Sequence, residues 1–129
     1  MKKLLLIFMV IVLAFSMCGC NKTEVNANSE VTLSYIYGET YVRTVLEKEE
    51  AKEIIDILDG KKYYDSGIPS CGFDVNVSFI IGDDVYAVAC DGCKCIKDVS
   101  QGKYFDVADD DMYYINAIFS RYGGYFPCV

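Results

Sequence analysis

The sequence predicts an α+β domain in which an antiparallel sheet of four to five strands carries two helices packed on one face. Three observations predict it: apolar and polar residues alternate over several short segments, turn-forming residues separate those segments, and two other segments have helical spacing. Short turns favour antiparallel neighbours, because parallel strands need a long crossover connection. The expected order is ββαβββα, within a single domain over residues 31–129.

The first half of this domain reads as a hairpin followed by a helix. Residues 31–37 alternate, and a second alternating run over 40–46 follows the turn at Gly38-Glu39. Residues 48–59 change to helical spacing, and their apolar stripe consists of Ala51, Ile54, Ile55 and Leu58. Gly60 follows, where a helix end favours a residue that tolerates positive φ.

The second half contains the clearest strand, residues 73–81. Strict alternation places its apolar residues on one face, namely Phe73, Val75, Val77, Phe79 and Ile81. Extended segments over 85–90, 95–99 and 103–107 follow, separated by turn-forming residues. Residues 109–122 return to helical spacing and end at Gly123-Gly124.

The N-terminus has the pattern of an export signal. Lys2 and Lys3 precede an apolar run over residues 4–17, which is the order of the n-region and h-region of a secretory signal. The run is shorter than the roughly 20 apolar residues that cross a bilayer comfortably. An uncleaved transmembrane anchor is therefore the less favoured alternative.

The residues after this run, Met17-Cys18-Gly19-Cys20, resemble the lipobox of bacterial prolipoproteins. In that family a small residue precedes a cysteine that receives diacylglycerol and becomes the new N-terminus. The resemblance implies that residues 1–19 are a lipoprotein signal peptide and that Cys20 is acylated. Cys18 fits less well, because the residue before it is the bulky Met17. Ordinary signal cleavage after Val25-Asn26-Ala27 is the alternative.

An acylated Cys20 implies a protein held on the extracytoplasmic face of the cell membrane. Two acyl chains anchor a protein stably, whereas one chain binds only reversibly. Residues 21–30 are polar, so we expect residues 20–30 to form a lipidated flexible tether. The membrane, contacted through the lipid anchor, is the first expected partner.

Composition excludes several classes of function. The formal net charge of −7 becomes about −9 once Lys2 and Lys3 are removed, and such a surface repels nucleic-acid phosphates. The chain contains no His, which excludes imidazole-activated Ser or Cys nucleophiles and histidine-ligated zinc. We therefore assign no catalytic, cofactor-binding or metal-ligating residue, although a carboxylate-only hydrolase is left open.

Five cysteines follow Cys20, and in an exported domain they are expected to form disulfides. An odd number allows at most two bridges. If the turn between residues 81 and 85 centres on Asp83, Cys71 lies opposite residues 93–95. The expected bridges are Cys71–Cys93 and Cys90–Cys128, with Cys95 unpaired, although a bulge at Asp91-Gly92 would shift this register.

Two other interpretations of the cysteines remain open. Cys90-Asp91-Gly92-Cys93 has the C-x-x-C spacing of a redox dithiol, but such dithiols lie at a helix N-terminus, and no helix is predicted there. Cys90 with Cys93 or Cys95, together with Cys71 or Cys128, would suit a thiolate metal site, although zinc sites usually use two separated pairs.

Residues 71–128 as a whole look like small uncharacterised lipoproteins of Gram-positive bacteria. The residues that carry this resemblance are Cys71-Gly72-Phe73, Ala89 to Cys93 and the aromatic tail from Tyr122 to Cys128. The resemblance implies no activity. The predicted function is a non-catalytic interaction module that binds an exported or envelope protein, and the alternative is an extracytoplasmic thiol-redox or thiolate metal-binding protein.

Overall fold

The structure is a computed structural model, and it describes residues 21–123. Within this range the chain forms six strands and two helices in the order ββαββββα. Their bounds are β1 Val31–Tyr37, β2 Thr40–Val45, α1 Lys48–Leu58, β3 Phe73–Ile81, β4 Asp84–Ala89, β5 Cys95–Asp98, β6 Lys103–Asp106 and α2 Asp109–Arg121. The predicted α+β class with an antiparallel sheet and two helices is confirmed.

The prediction of four to five strands is wrong, because the sheet has six in the order β2-β1-β3-β4-β5-β6. The strand that the predicted order ββαβββα does not count is β6, which forms within the extended segment predicted over 103–107 and pairs with β5 from Cys95↔Asp106 to Asp98↔Lys103. A strand of four residues places only two side chains on each face, so its alternation is a weak signal. All neighbouring strands run antiparallel.

The core lies between one face of the sheet and the apolar stripes of both helices. Register aligns Leu33, Phe79 and Tyr86 on this inner face, because opposed residues in an antiparallel pair point the same way. The Phe79 ring lies 5.5 Å from that of Phe119 on α2. The predicted stripe of α1 is buried in the same cluster, which also includes Ile57.

A polar contact joins the two helices. The Glu50 carboxylate on α1 is buried and accepts hydrogen bonds from the Arg121 guanidinium and the Tyr122 hydroxyl. Burial acts to raise the pKa of Glu50, but these hydrogen bonds outweigh it and lower the pKa overall. This contact therefore stabilises the packing of the helices when Glu50 is ionised.

β3 departs from the predicted alternation. Phe79 pairs with Tyr86 near the turn, but Phe73 pairs with Ala89, so a bulge lies between Phe73 and Ser78. The Asp74 carboxylate accepts hydrogen bonds from the backbone and side-chain nitrogens of Asn76 at 2.8 and 3.0 Å. Such local bonds compete with the strand ladder.

The bulge moves Phe73 to the outer face, opposite to the predicted one. Its ring lies 5.5 Å from that of Tyr104. Tyr104 belongs to the outer face, because it pairs with Lys97, Lys97 pairs with Ala87, and Ala87 alternates with the inner-face residue Tyr86. Val75, also predicted to be in the core, is 55% exposed. The apolar face of β3 is therefore limited to Val77, Phe79 and Ile81.

The segment predicted as a flexible tether over residues 20–30 is docked on the domain in its first half. Thr23 is 2% exposed. Its hydroxyl donates to the carbonyl of Leu58 at 2.6 Å and accepts from the backbone N–H of Lys61 at 2.8 Å. Its backbone adds bonds to Lys61 and Gly60. Thr23 thus satisfies the Leu58 carbonyl, which the C-terminus of α1 leaves without a helical partner, and pairs with the residues that follow the helix.

Neighbouring residues extend this attachment. The carbonyl of Asn21 accepts from the backbone N–H of Tyr63 at 3.0 Å, and Lys22 forms a β-bridge with Lys62. The backbone N–H of Val25 donates to the Asp59 carboxylate at 2.9 Å. The chain is therefore tied down from the first described residue, and Cys20 lies outside the described residues.

Candidate functional site

A disulfide joins Cys71 to Cys93, with their Cα atoms 6.4 Å apart. This is one of the two pairs that the sequence predicts. It connects the segment before β3 to the turn between β4 and β5. The Asp91 carboxylate reinforces the same junction, because it accepts from the backbone N–H groups of Gly72 and Cys93, both at 3.3 Å.

Of the other cysteines with predicted roles, Cys90 and Cys95 lie within the described residues, and Cys20 and Cys128 do not. Cys95, predicted to be the unpaired thiol, is 2% exposed and forms no disulfide with another cysteine of residues 21–123. Burial raises its pKa, although a contact from the Tyr64 hydroxyl, 3.6 Å from Sγ, acts in the opposite direction. Cys128 lies outside the described residues, as does Cys20, so the Cys90–Cys128 bridge and the acylation remain predictions.

The local geometry differs between the residues of the redox interpretation and those of the metal interpretation. No helix begins near Cys90 and Cys93 within residues 21–123, because the segment between them is the turn that joins β4 to β5. Cys71, Asp91 and Cys93 bring three ligand atoms within 4.8 Å of one another. The disulfide consumes both thiolates of this group, so metal binding there would require its reduction.

The acidic residues at 109–111 occupy the first turn of α2. Carboxylates at this position are stabilised by the partial positive charge of the helix N-terminus. Two of them also form ion pairs, Lys94–Asp109 at 2.5 Å and Lys61–Asp111 at 3.3 Å. These contacts account for the acidic run as part of the fold.

The two edges of the sheet differ. At β6 the backbone N–H of Tyr64 donates to the carbonyl of Tyr104 at 2.8 Å, so the chain covers part of that edge. At the other edge, β2 pairs only with β1 among the described residues. An uncovered edge strand presents N–H and C=O groups that can pair with another extended chain.

The outer face of β2 is exposed and carries two large apolar side chains. Tyr41 is 60% exposed and Val45 is 51% exposed, with Arg43 between them on the same face. We call these three residues the β2 strip. A groove of about 600 Å³ adjoins one end of the strip at Val45, and Ala27, Leu46 and Ile55 also line it.

A second depression opens where the docked N-terminal segment meets β4, β5 and β6. Its residues include Tyr63, Tyr86, Asp98 and Lys103. Sequence reasoning missed this cleft, although one signal was available. Alternation in β5 places Asp98 on the same face as the buried Ile96, and a carboxylate at a core position is a marker of function or of a special contact.

Within residues 21–123, neither helix has the length and apolar character that a membrane crossing requires. Comparisons with known proteins found no matching family model, no matching curated protein and no matching solved structure. The functional proposals below therefore depend on the residues and contacts of this chain alone.

Proposed function

We propose that this protein is a membrane-anchored extracytoplasmic lipoprotein whose domain is a non-catalytic module that binds an exported or envelope protein. The observation that carries the binding role is the edge of β2, beyond which no strand pairs among residues 21–123, with its exposed Tyr41 and Val45. The anchor is supported by the Gly19-Cys20 motif. The Cys71–Cys93 disulfide supports an oxidising compartment.

The β2 strip suggests how a partner would bind. An extended segment of the partner would add to the sheet beside β2 through main-chain hydrogen bonds, and its side chains would supply specificity. Tyr41 offers apolar area with a polar tip, which is typical of binding surfaces. Arg43 forms no ion pair among the described residues, so a carboxylate on the partner would complement it.

Site-specific photo-crosslinking in cells that produce the protein tests the binding role. A photoreactive residue at position 41 should give a discrete adduct with one exported protein. The matched control is position 113 on α2, because Tyr113 is also highly exposed, at 78%. The adduct should disappear in Val45→Lys, since a charge on an edge strand blocks pairing, and persist in Val75→Lys, which changes an equally exposed valine elsewhere.

Equal adducts at positions 41 and 113, or an adduct that survives Val45→Lys, would contradict the binding proposal. The anchor is tested separately by the intact mass of the mature protein. Acylation should add the mass of a diacylglycerol to a chain that begins at Cys20, and Cys20→Ala should abolish it. A mature chain that begins at Asn28 would instead establish ordinary signal cleavage.

The alternative is an extracytoplasmic thiol-redox or thiolate metal-binding protein, and the grouping of Cys71, Asp91 and Cys93 is the observation that favours it. A count of free thiols in the purified mature protein separates the two functions. One free thiol, at Cys95, supports the interaction module. Five free thiols, or three together with bound metal, support the alternative.

A further inference from the structure

The cleft beside the docked N-terminal segment has the features of a small-molecule site. Its volume is about 330 Å³, at the lower end of the range of ligand pockets. It lies on a different part of the sheet from the β2 strip, because β4, β5 and β6 form one of its walls. The ionisable residues that line it are Lys22, Glu24, Tyr63, Asp84, Tyr86, Asp98 and Lys103.

The wall of the cleft is a row of side chains across three strands. Tyr86 pairs with Asp98, and Asp98 pairs with Lys103, so register places all three on the inner face of the sheet. Asp98 is 2% exposed. Its carboxylate accepts from the Tyr63 hydroxyl at 2.5 Å and from the backbone N–H of Gln101 at 3.2 Å. This carboxylate is therefore held in a fixed position.

Tyr86 supplies a second and independent feature. It is 2% exposed and lines the cleft, and its hydroxyl makes no hydrogen bond to residues 21–123, so the hydroxyl oxygen keeps contact with the solvent of the cleft. Burial and the nearby carboxylates of Asp98 and Asp84 raise its pKa. A hydroxyl that opens into a cleft from an otherwise buried side chain can exchange its water for a polar atom of a ligand.

Charged groups of both signs line the cleft. Glu24, Asp84 and Asp98 supply carboxylates, and Lys22 and Lys103, which form no ion pair within the described residues, supply ammonium groups. The Lys103 ammonium lies 5.0 Å from the centre of the Tyr63 ring. The carboxylates of the cleft are not part of a convergent group of three metal ligands in this part of the chain.

We propose that this cleft binds a small zwitterion that carries a protonated amine next to an anionic group. The ammonium donates hydrogen bonds to the Asp84 carboxylate and to the Tyr86 hydroxyl oxygen, close to the charge of Asp98. The anionic group lies beside the ammonium groups of Lys22 and Lys103. Such paired recognition uses charge-assisted hydrogen bonds, which are the strong ones. This site goes beyond the protein-binding role proposed above and does not depend on it.

Phosphoethanolamine is a probe with this chemistry, and the full mature chain in detergent micelles can be titrated with it by NMR. We expect saturable shifts of the backbone amides at residues 84–86 and 98–103. Ethanolamine and inorganic phosphate, which each carry half of the recognised pair, should bind at least about tenfold more weakly. Tyr86→Phe, which removes only the hydroxyl oxygen, should weaken binding about tenfold.

A matched pair of lysine variants supplies the control. Lys103→Met should weaken binding of the probe, whereas Lys97→Met should leave it unchanged. Lys97 is a suitable control because its ammonium also lies over a tyrosine ring, 5.7 Å from the centre of Tyr104, on the outer face. Absence of saturable shifts, or equal affinity in wild type and Tyr86→Phe, would overturn the proposal.

The source of the zwitterion is distinguished with vesicles. The mature protein is reconstituted in vesicles of phosphatidylethanolamine or of phosphatidylcholine, whose quaternary ammonium has no N–H donor. If phosphatidylethanolamine vesicles occupy the cleft and block the probe, the ligand is a lipid headgroup. If the probe binds equally well in both vesicles, the ligand is a soluble zwitterion. Loss of the cross-link at position 41 would leave these results unaffected.

Discussion

Substitution Thr23→Val tests whether the N-terminal segment belongs to the folded domain. Valine closely matches threonine in shape, so the substitution leaves no large cavity and removes the hydroxyl alone. That hydroxyl makes two hydrogen bonds, to the carbonyl of Leu58 at 2.6 Å and from the backbone N–H of Lys61 at 2.8 Å. Both backbone groups would be left without this partner in a region where Thr23 is only 2% exposed.

The expected loss follows from the cost of the two unpaired groups. A buried polar group without its partner costs about 1–3 kcal/mol. Two such groups, partly offset by the added methyl group, predict a loss of about 3 kcal/mol in the free energy of unfolding. For a domain of this size, that loss corresponds to a decrease in Tm of roughly 10–20 °C.

Urea denaturation of the purified chain measures this loss directly. Thr40→Val is the control, because Thr40 lies exposed on β2, and such a surface change should alter the free energy by less than about 0.5 kcal/mol. Hydrogen exchange at the amide of Lys61 should accelerate in Thr23→Val only. If Thr23→Val unfolds within about 0.5 kcal/mol of wild type, residues 21–25 are not docked and the tether prediction is restored.

Three further outcomes are expected. Burial and the hydrogen bond to Asp98 raise the pKa of Tyr63 above its usual value of 10.0. The stability that neutral Tyr63 contributes to the fold is therefore complete below pH 10 and is lost as pH rises through the folded-state pKa. Tyr63→Phe should therefore flatten the alkaline decline of the urea midpoint, and an identical decline would contradict this. The pKa of Glu50 is lowered, so the pH dependence runs the other way. The stability that ionised Glu50 contributes to the fold is present above about pH 4.5 and is lost on acidification. The stability of Glu50→Gln should therefore depend less on acid pH than that of wild type in the same assay. The disulfide closes a loop with a sequence separation of 22, and replacing both Cys71 and Cys93 with Ser should lower the free energy of unfolding by about 3 kcal/mol; an unchanged midpoint would show that the bridge does not stabilise the fold.

The sequence was sufficient for the features that depend on periodicity. The hairpin of β1 and β2, the stripe of α1 and the class of fold follow from alternation and from helical spacing. The bulge in β3 was not anticipated, because Asp74 and Asn76 were interpreted only as the polar half of an alternating strand. Both residue types are depleted in strands and readily form local hydrogen bonds, so the signal was present.

The docked N-terminal segment could not be predicted in the same way. A polar segment with few apolar residues has the composition of a tether, and its attachment depends on partners more than 30 positions away, such as Leu58 and Asp59. The cleft was missed for a related reason. Tyr63 is 5% exposed and donates to the Asp98 carboxylate, which lies 35 positions further along the chain.

Thr23 also limits how far an anchored domain could travel from the lipid. A free tether of ten extended residues would span about 33 Å. With Asn21 already bonded to Tyr63, the Cα of an acylated Cys20 would be only one peptide unit, about 4 Å, from the Cα of Asn21. Such a domain would stay next to the bilayer with the same side facing the lipid headgroups. A partner would therefore have to bind it close to the membrane surface.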